Sequence, residues 1–97
     1  MIFLKEHTKD GRKLVAICDK ALLGRTLREK DVLLDLGSSF YAGRPADPAK
    51  LPNILRSCLC INAVGRESVG LLVAEGLVEE GSVKKAEGVP FVQVYFL

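Results

Sequence analysis

The run Lys13-Leu14-Val15-Ala16-Ile17-Cys18 is nearly all apolar, and at that length it reads as an inner strand of a sheet. Before it stands Asp10-Gly11, a strong hairpin turn signal, inside His7-Thr-Lys-Asp-Gly-Arg12. Residues 1–6, in which Ile2 and Leu4 alternate with Phe3 and Lys5, are then the first strand of a hairpin and residues 13–18 the second. A chain built on an interior strand must supply further strands beside it and apolar cover above it.

The rest of the chain can be read for those parts. Asp19 is expected to cap one helical turn, Lys20 to Leu23, ended by a left-handed Gly24. Thr26-Leu-Arg-Glu29 matches a capping box, or else forms a simple turn that lets Leu27 cover the sheet. Val32 to Leu36 alternates as a third strand with Asp35 outward. Gly37 to Gly43 is a loop, prolonged to Pro48 by Pro45 and Pro48. Leu51, Ile54, Leu55, Cys58, Leu59 and Ile61 fall on one face at helical spacing, which predicts a helix from Pro52 to Asn62.

A second helix is expected from Ala63 or Arg66 to Glu75, ended by Gly76, with Leu77 and Val78 packing back over that end. Gly70 in its interior suggests close approach to another backbone. Val83 to Ala86 and Val89 to Leu97 read as strands around a Glu87-Gly88 turn. In the last strand Val92, Val94 and Phe96 face one way and Phe91, Gln93 and Tyr95 the other, with Pro90 at a sheet edge or beyond the ladder. Strands at both ends with helices between predict a single α+β domain over residues 1–97. Its architecture would be a two-layer sandwich, a mostly antiparallel sheet with two helices packed on one face.

Composition bounds the function classes. The 97 residues hold one core and leave little room for a deep substrate cavity. A shallow groove or a flat face is the expected binding surface, and homodimerisation would add stability. No apolar run approaches the roughly 20 residues that span a bilayer, so no membrane partner is expected. Met1-Ile-Phe-Leu-Lys5 sets its apolar residues before its charge, the reverse of a secretory leader. Three cysteines, an odd number, argue against a disulfide-stapled secreted domain, and a cytoplasmic setting is expected. Net charge is only +2, but it is unevenly spread. Arg12, Lys13, Lys20, Arg25, Arg28 and Lys30 crowd one stretch, while Glu67, Glu75, Glu79 and Glu80 occupy another with no basic residue between them.

Catalytic and metal signatures are weak. Cys58-Leu-Cys60 on a helix would point its thiols about 160° apart, and a structural zinc site asks for a wider cysteine pair and a second one to match. Cys18 and Cys58 read as small core residues and Cys60 as partly exposed. His7 reads as a solvated residue near the hairpin turn, and no Gly-x-Ser-x-Gly elbow, P-loop or dinucleotide fingerprint occurs. No catalytic residue, metal or cofactor is therefore assigned. Gly37-Ser-Ser-Phe-Tyr-Ala-Gly-Arg44 offers hydroxyls, backbone N–H groups, a ring and a guanidinium, the parts of a phosphate or base contact. Its plain alternative is a loop with Phe40 anchored in the core and Tyr41 covering it. Asn62 would end the first helix and cap the second, or line a helix–sheet groove with Gly65 and Arg66.

Several stretches carry a family resemblance: Val15-Ala-Ile-Cys-Asp19, Leu22-Leu-Gly24, Ser39-Phe-Tyr-Ala-Gly43, Asn62-Ala-Val-Gly65-Arg66, and Gly88-Val-Pro90 with Gln93. In these the chain resembles small archaeal proteins grouped as domain of unknown function 424. The resemblance implies a compact α+β fold and brings no activity with it. A histidine commonly follows the Gly-Val-Pro of that family; here Phe91 stands there, so any chemistry resting on that histidine would be missing.

The leading expectation is a non-enzymatic accessory domain that binds RNA or a ribonucleoprotein through Lys20, Arg25, Arg28, Lys30, Ser39, Tyr41, Arg44 and Arg66. That reading requires the arginines to share a face. A protein-interaction or homodimerisation module is the second reading. A small enzyme with a groove near Asn62, Arg66 and Tyr41 is the third.

Overall fold

The computed structural model describes residues 1–96. Strands β1 (Ile2–Lys9) and β2 (Arg12–Asp19) form the expected hairpin, extended at both strands to a two-residue turn. Asp10 and Gly11 take φ of 53° and 75°, and Lys9 faces Arg12 across the turn. Two successive left-handed residues give a turn whose twist matches that of paired strands.

The segment after β2 differs from expectation in two places. Lys20–Leu22 is a short 3-10 turn, but no side-chain hydrogen bond from Asp19 caps it. Thr26-Leu-Arg-Glu29 is strand β3 (Thr26–Glu29) rather than a helix start, and it pairs with β4 (Val32–Asp35) in a separate two-stranded ribbon. The ribbon forms because Leu27 can be fully buried only by an extended chain that turns it inward, leaving Thr26, Arg28 and Glu29 in water.

The largest correction concerns the helix expected over 52–62. After β5 (Arg44–Pro45), helix α1 covers only Leu51–Arg56, and Cys60–Val64 is strand β6. Asn62 therefore neither ends one helix nor caps the next. Leu59 and Ile61 continued the helical spacing of Leu51, Ile54, Leu55 and Cys58 by coincidence, since so short a segment as Cys60 to Val64 fits a buried strand equally well. The surroundings decide it. β6 runs parallel to β2 on one side and antiparallel to β8 (Val89–Tyr95) on the other. Without β6, the backbone edges of β2 and β8 would lie buried and unpaired. The full sheet, with β7 (Lys84–Ala86) at its far edge, has the order β5-β1-β2-β6-β8-β7. The β2–β6 pair is its one parallel contact among the described residues. Pro90 sits at the second position of β8, an inner strand, and its carbonyl accepts the Gly65 N–H at 2.8 Å. The expected extent of this strand to Leu97 reaches beyond the described residues.

Helix α2 (Arg66–Ala74) ends as its sequence suggests. Gly76 has φ 71°, its N–H reaches the Val73 carbonyl at 3.1 Å, and the Leu77 N–H reaches Leu72 at 2.9 Å. Gly70 does not approach another backbone; the space beside it is open.

Alternation along the strands sorts the side chains into two apolar clusters. Val15, Ile17, Ile61, Ala63 and Val92 pack with Leu51 and Leu55 of α1 and Val69 and Leu72 of α2. On the opposite face Cys18 and Val64 pack with Leu22, Leu36 and Leu27 of the ribbon, with Phe91 against them. The chain is thus α+β, a mostly antiparallel sheet with two helices, and the ribbon covers part of the sheet's other face.

Candidate nucleic-acid interface

Strand register builds the site. His7 faces Leu14, Leu14 faces Cys60, and Cys60 faces Tyr95, so these four side chains form one row across the sheet. They point away from the helices, because their neighbours Val15, Ile61 and Val94 point toward them. The next row along the strands is Lys5, Ala16, Asn62 and Gln93. The third holds Cys18, Val64 and Phe91 and lies against the ribbon cluster. The first row is left open and forms a cleft of about 390 Å³.

One wall of this cleft comes from the loop after β4. Gly43 lies so close to β1 that a Cβ there would collide with the Leu4 carbonyl oxygen, so the loop can follow the sheet edge only with glycine at this point. That course lays Phe40 on His7, with ring centroids 4.6 Å apart and planes 14° from parallel. The His7 Nε2–H donates to the Phe40 carbonyl at 3.0 Å, which fixes the imidazole in the stack. Tyr41 meets Phe40 edge-on at 5.0 Å and packs into the ribbon-side cluster. Burial, with the Cys18 thiol adding to it, pushes the Tyr41 phenol above its ordinary pKa.

Tyr95 stands at the other end of the row, 62% exposed. Its Oη accepts the Gln93 Nε2–H at 3.0 Å, so the ring leans along its strand over the sheet. Gln93 Nε2 and Asn62 Nδ2 each also lie 3.9 Å from Cys60 Sγ. Lys9, Arg12 and Lys13 stand on the rim, with Asp10 of the hairpin turn between the first two. Lys13 is paired with Glu6 at 3.1 Å, and Arg44 reaches the same carboxylate at 2.9 Å. These two partners, Arg44 first, hold the Glu6 carboxyl below its usual range. Among the described residues Lys9 and Arg12 make no ion pair.

The residues singled out from sequence are scattered. Lys20, Arg25, Arg28 and Lys30 lie on the 3-10 turn and the ribbon. The Arg28 N–H donates to Glu87 Oε2 at 2.7 Å, and the Glu87 N–H donates to Glu29 Oε1 at 3.0 Å, which ties the ribbon to the β7–β8 edge. Arg44 sits in β5 at the opposite edge, held by Glu6, so the arginines do not form the single face expected of them. Ser39 is exposed in the loop, and Tyr41 is half-buried. Arg66 opens α2 on the helix side, whereas Asn62 points to the ribbon side; no described cleft is lined by both. The groove expected to combine them is absent from the described residues for that reason.

Gly65 is a structural position. Its φ is 109°, and a Cβ there would run into the Asp19 carboxylate. That carboxylate, 8% exposed, accepts the Glu67 N–H at 3.0 Å and both the Ser68 N–H and Oγ–H at 2.8 Å. Asp19 thus caps α2, far along the chain, instead of the turn that follows it.

Sequence reading missed His7, Phe40 and Tyr95 as a set, and it counted Arg12 and Lys13 with the ribbon bases. Each could be placed on a strand or loop, but only the register of β6 puts them around one cleft. Cys60, expected to be partly exposed, is buried in the floor. Cys58 packs on the helix side, its Sγ–H toward the Leu55 carbonyl at 3.1 Å, and burial raises its thiol pKa. Burial and the neighbouring Asp19 push the Cys18 thiol up to about 12. Among the described residues no three His, Cys, Asp or Glu side chains converge as metal ligands, and no helix is long and apolar enough to cross a membrane.

These features define a class: an α+β protein whose mixed sheet carries helices on one face and a partly open, ring-flanked cleft on the other. A solved structure with this fold is that of an uncharacterized conserved protein from Methanopyrus kandleri. It matches with a TM-score of 0.83 and 30% identity over 99% of this chain and 91% of that one. Residues 7–97 match the family described as protein of unknown function, DUF424, and the chain belongs to that family. No curated protein matches it in sequence. The position after Gly88-Val89-Pro90, where a histidine was expected of the family, holds Phe91, which packs beneath the ribbon.

Proposed function

We propose that this chain binds single-stranded RNA across the open sheet face, as a non-enzymatic module; this replaces the shared arginine face that the sequence reading required, which fails because Arg28 and Arg44 stand at opposite edges. The reading takes the fold as a two-layer sandwich of sheet and helices, with the ribbon added on the face that the helices leave free. The observation that supports it most is the single row with the stacked His7–Phe40 pair at one end, exposed Tyr95 at the other, and Lys9 and Arg12 on the rim. Three strand spacings separate the two platforms, about 14 Å, a distance that a short run of unstacked nucleotides covers. Bases stack on such rings whatever their identity, and nearby cations meet the phosphates.

Fluorescence anisotropy with a labelled single strand of about 10 nucleotides tests it, that length lying within the usual range of single-strand sites. Tyr95→Ala is expected to weaken binding about tenfold, the order of one lost stacked base. Tyr95 is exposed, so the variant keeps its fold. Absence of binding at low salt, or unchanged affinity in both Tyr95→Ala and His7→Ala, would overturn the reading.

A further inference from the structure

The row beside the Tyr95 platform carries a pair of carboxamides, with Ala16 and Lys5 completing it. Asn62 and Gln93 face each other directly across β6 and β8, which puts their Cβ atoms about 5 Å apart. They border a recess of about 140 Å³ between sheet and ribbon, walled by Leu34 and Tyr41. Two residues along a strand rise roughly 7 Å, about the reach of a base lying on the Tyr95 ring. A base lying on that ring would bring an edge toward Gln93, whose amide is hydrogen-bonded to Tyr95 Oη.

What the pair offers follows from its hydrogen bonds. Both Gln93 Nε2 protons are engaged, one by Tyr95 Oη and one by Cys60 Sγ, and Asn62 Nδ2 also turns to that sulfur. Both amide nitrogens lie on the Cys60 side, which leaves each carbonyl oxygen on the side of its carboxamide away from that sulfur. Among the described residues, neither oxygen accepts a hydrogen bond. The amide pair itself therefore offers two free carbonyl acceptors, while its N–H groups are turned to Tyr95 and Cys60. A base that meets it must bring N–H groups, and an exocyclic amino group supplies two.

Resting on the RNA reading, we infer that Asn62 and Gln93 select bases carrying an exocyclic amino group for the position stacked on Tyr95. Adenine, cytosine and guanine meet that requirement; uracil does not. Stacking supplies affinity there, and the amide pair supplies discrimination.

The test compares two oligonucleotides of equal length by anisotropy at one salt concentration: oligoadenylate, and the same strand with every adenine replaced by purine, which stacks alike but lacks the amino group. The adenine strand is expected to bind roughly three- to tenfold more tightly, the scale of one hydrogen bond. Gln93→Ala is expected to bring the two strands together while both still bind. Gln93 is exposed, so its truncation leaves the core intact; Asn62→Ala is the second variant. Equal binding of the two strands, or a preference that survives both substitutions, overturns this inference and leaves Tyr95-dependent binding standing. If neither strand binds, the inference and the RNA reading fall together.

Discussion

At the residue scale, Glu6 joins the first three strands at the sheet's β5 edge. Its carboxylate takes Arg44 of β5 at 2.9 Å and Lys13 of β2 at 3.1 Å while itself standing on β1. The pair of cations keeps its folded pKa below the ordinary value, so the charged form favours the folded state. That contribution is complete above the unfolded carboxyl pKa and is lost as pH falls through the depressed folded value. Glu6→Gln carries no such acid-side loss. The stability gap between the parent chain and this variant, from urea unfolding, is expected to narrow from about pH 6 to about pH 3. A gap of constant size would show that the carboxylate adds nothing to folding. Cys18 illustrates the reverse, a titratable group kept neutral: with its thiol pushed up to about 12, it behaves as a small hydrophobe under Leu27 and Leu36.

Among the elements, the junction of β6 and α2 ties distant parts of the chain together. Gly65 turns the chain with φ 109° directly over the Asp19 carboxylate, and that carboxylate caps the helix that follows. Gly65→Ala combines backbone strain with a clash against the cap, and is expected to cost about 2 kcal/mol or more. Asp19→Ala removes the cap alone, for about 1–2 kcal/mol. The double variant is expected to lose less than the sum of the two single losses, because both act on one contact. Full additivity in urea unfolding would separate the two residues and refute the shared role. The same junction explains why the end of α2 could be read from Gly76 to within a residue, while its start was left between Ala63 and Arg66 and its cap was not found. The capping residue lies far back in the chain, and only the β2–β6 pairing brings it there.

For the molecule as a whole, sheet order separates charges that the sequence had grouped. The bases of the ribbon stand by the β7–β8 edge, Arg44 by the opposite edge, and Lys9 and Arg12 at the mouth of the cleft. Salt dependence of RNA affinity can tell them apart, since each phosphate contact on a single strand contributes about 0.7 to the slope of log K against log salt. Lys9→Ala with Arg12→Ala is expected to reduce that slope by about 1.4, and Arg25→Ala with Arg28→Ala to leave it unchanged. The opposite pattern would move the phosphate path to the ribbon. The exposed large apolar side chains among the described residues, Met1, Leu33 and Tyr95, stand before β1, on the ribbon and on β8 respectively.

Local chemistry determined much of this protein. Asp10-Gly11 set the first hairpin, Gly76 and Leu77 ended α2, and the alternation of Val92, Val94 and Phe96 against Phe91, Gln93 and Tyr95 sorted the last strand between the two faces. Each depends on residues adjacent in sequence, whose φ preference or period is visible without a partner. The strand nature of Cys60–Val64, the target of the Asp19 carboxylate and the assembly of His7, Phe40 and Tyr95 around one cleft were decided only in three dimensions. A segment of that length satisfies helix and strand alike, and the choice falls to whichever arrangement pairs the buried backbone on both sides. Once β6 enters between β2 and β8, the register across four strands follows, and with it the site.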